Sequence, residues 1–143
     1  AIGTGIPRKR NGKNKKKENA QSILRFLGIT AGNGAPAINK LINTMIEREI
    51  SFDEVNFEEF FQCDEHGKKI IFQRIRRDIK TGLNNLAHMC MDYPENDIIL
   101  EYANNLYEYK NVHNEISFLK GERTNGGQVS LKHFFNGLIQ EIN

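Results

Sequence analysis

The sequence predicts an all-α protein: a compact bundle of five or six helices that follows a flexible, basic N-terminal arm. Three observations favour this class. Apolar residues recur at steps of three and four along most of the 143 residues, strand-like alternation is scarce, and capping residues precede several apolar runs. With 38% hydrophobic residues, the chain is long enough for one domain with a hydrophobic core. We therefore predict an arm at residues 1–17 and a single helical domain at residues 18–143.

The first predicted helices are short. One begins near Glu18 and ends at Gly28, which suits the position just after a helix. A second begins at Pro36, because proline fits the first turn of a helix. The third follows Ser51 and Glu54, whose spacing is that of a capping box.

The longer apolar stripes lie in the second half of the chain. One predicts a helix at residues 69–91, and another spans residues 94–120, which would be about 40 Å long if it were one continuous helix. Ser130 is placed to cap a final helix at residues 131–142. A short β-hairpin near Gly67 is the structural alternative that the pattern leaves open.

The formal net charge of +2 conceals an uneven distribution of charge. Residues 1–17 contain seven Lys or Arg and no acid, whereas the remaining residues contain thirteen cations and eighteen acids. A second basic cluster, at residues 68–80, has six cations and one acid. On a helix, Lys69, Gln73, Arg76 and Lys80 would form a narrow stripe with Arg74 and Arg77 beside it, opposite the apolar stripe. Positive charge collected on an arm and on one helix face is typical of nucleic-acid-binding proteins.

This charge pattern predicts a non-enzymatic nucleic-acid-binding protein, with DNA favoured over RNA as the ligand, acting as an accessory subunit or nucleoprotein. Lys and Arg that neutralise phosphates release counterions, so a basic arm is an effective non-specific anchor, and a helix face adds register. The predicted nucleic-acid-binding residues are Arg8, Lys9, Arg10, Lys13, Lys15, Lys16, Lys17, Lys68, Lys69, Gln73, Arg74, Arg76, Arg77 and Lys80.

The alternative hypothesis is a helical interaction or assembly module whose basic arm is a localisation signal. The stretches PRKR and KNKKK resemble basic import signals, and the apolar seam of residues 94–120 could pair with a second chain. The expected partners are nucleic acid or protein, with no membrane. The expected location is intracellular: nuclear in a eukaryote, and otherwise cytoplasmic, nucleoid-associated or within a virion.

The glycine-rich loop at residues 28–36 is a candidate phosphate site, because it opens a helix whose backbone N–H groups could bind an anion. An ordinary turn is the simpler interpretation. The same loop is about twice as long as the turn of a helix-turn-helix motif, so residues 18–49 do not fit that motif.

Candidate metal ligands and catalytic groups form no recognised motif. Cys63 and His66 have a spacing that zinc sites use, but His88 and Cys90 would point about 200° apart on one helix. Asp78, two residues before a lysine, resembles the end of a nuclease motif, although it lies on a predicted helix rather than on a strand. A metal-dependent nuclease is therefore a third hypothesis. We predict no metal, no cofactor and no catalytic residue.

Overall fold

The computed structural model describes the backbone from Gly5 to Asn143 and the side chains from Gly12 onward. Residues 1–4 and the side chains of Arg8, Lys9 and Arg10 lie outside that description. The described residues are all-α and contain no strand, as the sequence predicts. None of their helices combines the length and the apolar character that a membrane crossing needs.

Seven α-helices form the described chain, rather than five or six. The extra helix arises at Glu108, whose φ of 65° interrupts the segment that was predicted as one helix from 94 to 120. A 3-10 turn at Phe52–Glu54 connects the second and third helices. The α-helices are α1 (Gly5–Leu27), α2 (Ala35–Arg48), α3 (Phe57–Phe61), α4 (Glu65–Asp92), α5 (Asp97–Tyr107), α6 (Tyr109–Leu119) and α7 (Leu131–Ile142).

Helix α1 begins before Glu18, so the expectation that residues 12–17 belong to a disordered arm is corrected. Lys17 Nζ pairs with the Glu47 carboxylate of α2 at 2.6 Å, and Lys13 Nζ donates to the Glu47 carbonyl oxygen at 2.8 Å. The hydrogen bond from Lys17 lowers the pKa of Glu47. Glu47 lies about thirty residues after these two lysines in the sequence, so a pattern of neighbouring residues could not predict the contacts. The division into arm and domain at residue 17 stays a prediction.

The β-hairpin near Gly67, which the sequence leaves open as an alternative, does not form in the described residues. The Asp64 carboxylate accepts a hydrogen bond from the Gly67 backbone N–H at 2.8 Å, so Gly67 lies in the capped first turn of α4. Helix α3 ends at Phe61, and Gln62, which follows it, has a φ of 52°. The polar turn is therefore only a short link between two helices.

Two predicted helix termini are confirmed, and a third is confirmed only in part. Gly28 has a φ of 76° and follows the last residue of α1. Ser130 Oγ accepts a hydrogen bond from the His133 backbone N–H at 3.2 Å and caps α7. The Glu54 carboxylate accepts the Ser51 backbone N–H at 3.1 Å, as in a capping box, but this contact opens the 3-10 turn, and Asn56 caps α3 instead.

Helix α4, at 28 residues, is central to the bundle and packs against all six other α-helices. Its inward side buries Ile75, Ile79, Leu83 and Leu86, which confirms the predicted apolar stripe. Burying such side chains stabilises the fold by about 1.5–3 kcal/mol each. The orientation of α4 is therefore fixed by the core, and so is the side that it turns to solvent.

Tyr107 links α5 to α4 by a buried hydrogen bond. Its side chain is 3% exposed, and its hydroxyl donates a hydrogen bond to the Ile79 carbonyl oxygen at 2.8 Å. Burial raises the pKa of Tyr107 well above its ordinary value of 10.0, because a phenolate would be poorly solvated there.

We expect the free energy of unfolding to fall as the pH rises above about 10, by about 1.4 kcal/mol per pH unit, because only the unfolded chain then loses the Tyr107 proton. Below that pH both states are protonated and this group contributes no pH dependence. Tyr107→Phe should be about 1 kcal/mol less stable near pH 8 through the lost hydrogen bond, and the gap should close or reverse near pH 11.

Urea unfolding of both proteins at the two pH values measures this gap. Tyr102, whose pKa burial also raises, is present in both proteins, so its titration cancels in the difference. A gap that stays constant between the two pH values would contradict the expectation.

Candidate nucleic-acid interface

The outward side of α4 carries exposed cations and one amide, as the sequence predicts. At 100° per residue these residues occupy about half of the helix circumference, opposite the buried stripe, and they extend about 17 Å along the axis. We call this surface the α4 basic face. It comprises Lys69, Gln73, Arg74, Arg76, Arg77 and Lys80.

The cations of the α4 basic face are not neutralised by the protein's own acids. Among the described residues, no carboxylate oxygen lies within 4.0 Å of any of the five. Lys68, also predicted as a site residue, differs: its ammonium pairs with Glu58 at 3.0 Å and with Glu65 at 3.3 Å. The hydrogen bond to Glu58 raises the pKa of Lys68. Lys68 could bind a phosphate only by breaking its ion pairs with Glu58 and Glu65.

A shallow concavity of about 680 Å³ extends from the α4 basic face to α6. Guanidinium, ammonium and amide groups converge there, which are the groups that hydrogen-bond to phosphates and to base edges. The structure thus brings four predicted site residues together with three that were not predicted. The lining residues are Gln73, Arg76, Arg77, Lys80, Thr81, Asn84 and Glu115.

Asp78 has a structural role on the other side of α4. Its side chain is buried, and its carboxylate accepts a hydrogen bond from the Gly34 backbone N–H, at the start of α2, at 2.7 Å. A Cβ atom on Gly32 or Gly34 would collide with this carboxylate. The N-terminus of α2, the candidate phosphate site of the glycine-rich loop, is therefore occupied by the chain's own acid.

The described side chains of the arm, from residue 12 onward, do not share a depression with the α4 basic face. Lys16 lines a separate cleft of about 520 Å³ formed by α1, α2, α7 and the 3-10 turn. Lys13 and Lys17 are engaged with α2, whereas Lys15 is exposed. All the arm residues remain predicted contacts, and those whose side chains are described do not extend the surface that α4 forms.

The predicted absence of a metal stays a prediction. The described residues contain no group of three or more His, Cys, Asp or Glu placed to hold a metal ion. Cys90 is buried in the apolar stripe, and burial raises its thiol pKa, which disfavours the thiolate that metals bind. His88 is exposed on the same helix.

Most of the described chain matches a known protein family. The sequence model of the YcbB domain matches residues 19–138. The chain belongs to the YcbB domain family. The match includes the whole α4 basic face and all of α2 to α6, so the candidate surface is part of the YcbB domain itself. No curated protein and no solved structure matches the chain.

Sequence reasoning missed Asn84 and Glu115, which close one end of the concavity. Asn84 Nδ2 donates to Glu115 Oε2 at 3.0 Å, and Glu115 is only 3% exposed. The sequence does contain one indication of this contact. Glu115 lies three residues after Val112, on the apolar side of its helix, and an acid that is buried there needs hydrogen-bond partners.

Proposed function

We propose that this YcbB domain binds double-stranded DNA through the α4 basic face, as a non-enzymatic nucleic-acid-binding subunit. The observation that supports the proposal is the set of five exposed cations with no described carboxylate within 4.0 Å, on a helix that the core holds rigidly. A polymer of phosphates is a partner whose charges can neutralise these five cations together.

The electrostatics favour a polyanion even though the body of the chain is acidic. Each Lys or Arg that meets a phosphate of B-DNA releases counterions and contributes about −0.9 to the slope of log K against log salt. Five contacts on the α4 basic face would give a slope of about −4.5.

The shape of the surface favours DNA over RNA. The major groove of B-DNA is about 12 Å wide and admits a helix, whereas the major groove of A-form RNA is too narrow for side chains to read. The exposed residues of the α4 basic face span about half of the helix circumference, and this is the side that would enter such a groove. Gln73 has the amide that recognises adenine, and Arg76 and Arg77 have the forked donors that recognise guanine.

Competition between duplexes tests the proposal. The chain is bound to a labelled DNA duplex and challenged with unlabelled DNA or RNA duplexes of the same sequence, with fluorescence anisotropy as the readout. We expect DNA to be the better competitor by about tenfold or more, because α4 can reach the bases only in B-form DNA. An RNA duplex that competes equally well would argue against α4 insertion.

The predicted contribution of the arm has its own test. Replacing Arg8, Lys9 and Arg10 by glutamine keeps the length of the chain and leaves the pairs made by Lys13 and Lys17 intact. If the arm contacts phosphates, the salt slope should become shallower by up to about 3. An unchanged slope would exclude these three residues as phosphate contacts and leave the arm as a localisation signal.

The alternative, a helical assembly module, is favoured by an exposed apolar surface between α1 and α5. Phe26 is 40% exposed and packs edge-on against Tyr102 at 5.5 Å between ring centroids, and Ile98 is 58% exposed. The seam predicted for self-association is largely used within the chain, since Ile99 and Leu106 are buried. Light scattering tests this alternative: a stable oligomer that dissociates on Ile98→Asp would support it.

A further inference from the structure

Glu115 joins α4 to the segment that connects α6 and α7. One carboxylate oxygen accepts the Asn84 amide of α4 at 3.0 Å, and the other accepts the Gly127 backbone N–H at 2.9 Å. No described cation lies within 4.0 Å of this buried acid. Burying a carboxylate without a cation beside it costs folding free energy. We therefore attribute to Glu115 the positioning of its two hydrogen-bond partners and not a net gain in stability.

The connecting segment, residues 120–130, is fitted closely against the bundle; we call it the α6–α7 loop. A Cβ atom on Gly126 would collide with the Glu115 carboxylate, and one on Gly127 would collide with the backbone carbonyl of Asn111. The same Cβ on Gly127 would lie 3.1 Å from the Leu83 side chain of α4. The absence of side chains at these two glycines therefore lets the loop lie directly beside the concavity.

The exposed part of the α6–α7 loop is cationic. Lys120 and Arg123 are exposed and form no ion pair with a described carboxylate, and Glu122 is the single acid of the loop. Arg123 Nε donates to the Asn125 carbonyl oxygen at 3.2 Å, which braces the side chain on its own loop. The polar residues that follow can also donate to phosphate oxygens.

We propose that the α6–α7 loop is a second DNA-contacting element: Lys120 and Arg123 meet the phosphate backbone that flanks the groove entered by α4, and Glu115 is the positioning residue that holds the loop there. The inference depends on the proposed function, because it assumes that DNA lies along the α4 basic face.

The first test compares Lys120→Glu/Arg123→Glu with a matched control, Arg25→Glu/Arg48→Glu, which makes the same change of charge at exposed sites outside the concavity. Anisotropy of a labelled DNA duplex is measured over a salt series. We expect the loop variant to bind on the order of tenfold more weakly at low salt, with a slope shallower by about 2, and the control to keep the native slope.

The outcomes separate the two proposals. If the native chain binds DNA and the loop variant matches the control, the loop has no role, while the proposed function of α4 stands. If the native chain does not bind DNA, both proposals fail together.

Glu115→Gln tests positioning separately from charge. If Glu115 acts through the loop, the variant should bind more weakly than the native chain and cause no further loss in the Lys120→Glu/Arg123→Glu background. If the loop takes no part, removing an acid beside a phosphate site should instead strengthen binding, which would overturn the proposal. Circular dichroism confirms folding; should this variant be unfolded, Gly127→Ala displaces the loop without a change of charge, because its Cβ atom would collide with the Asn111 carbonyl oxygen. Weaker binding with no further loss in the Lys120→Glu/Arg123→Glu background would then support the proposal, and unchanged binding would overturn it.

Discussion

Replacing Arg76 and Arg77 by glutamate is expected to weaken the binding of duplex DNA by about 100-fold or more at low salt. Two contacts worth about 1–3 kcal/mol each are lost, and each arginine becomes a charge that repels phosphate. Both side chains are exposed and unpaired among the described residues, so the fold should be unaffected. The affinity is measured by fluorescence anisotropy, with circular dichroism and urea unfolding as checks on structure.

The matched control is Arg25→Glu/Arg48→Glu, which reverses two exposed arginines on α1 and α2. This variant should bind within a fewfold of the native chain, because it changes the net charge equally but leaves the α4 basic face intact. Equal losses in the two variants would mean that DNA responds only to net charge, and the assignment of the interface to α4 would be wrong.

The second large expected effect concerns stability. Gly137 lies in the middle of α7, where a Cβ atom would collide with the Asn105 carbonyl oxygen of α5 and lie 3.1 Å from its carbon. Alanine normally stabilises a helix interior by about 1 kcal/mol relative to glycine. Here a backbone group blocks the added methyl, so overpacking of about 1–3 kcal/mol should dominate. We expect Gly137→Ala to lower the free energy of unfolding by up to about 2 kcal/mol.

Gly12 provides the control, because it is also helical and a Cβ atom there meets nothing within 4 Å. Gly12→Ala should leave stability unchanged or raise it by up to about 1 kcal/mol. Urea unfolding of the native chain and both variants gives the comparison. The account of α5 packing on α7 would fail if Gly137→Ala were as stable as Gly12→Ala.

The sequence predicted those features that depend on neighbouring residues. The end of α1 at Gly28 and the start of α7 at Ser130 follow from the conformational freedom of glycine and from a serine oxygen that accepts a nearby N–H group. The two sides of α4 follow from helical periodicity, since Ile75 and Ile79 are buried while Arg76 and Lys80 are exposed.

The features that were missed depend on partners far along the chain. Asp78 is held by Gly34, which lies 44 residues away, and the Lys17 partner Glu47 lies 30 residues away. The break between α5 and α6 falls at Glu108, a residue type that gives no local sign of positive φ. Charge pattern could identify the α4 basic face, but only the packed structure shows which cations remain unpaired.

The central claim, that the α4 basic face binds duplex DNA, is tested most directly by the affinity of the chain for a random-sequence duplex as a function of salt. The account predicts a linear fall of log K against log salt with a slope of about −4.5 or steeper. No binding at low salt, or a slope close to zero, would contradict it.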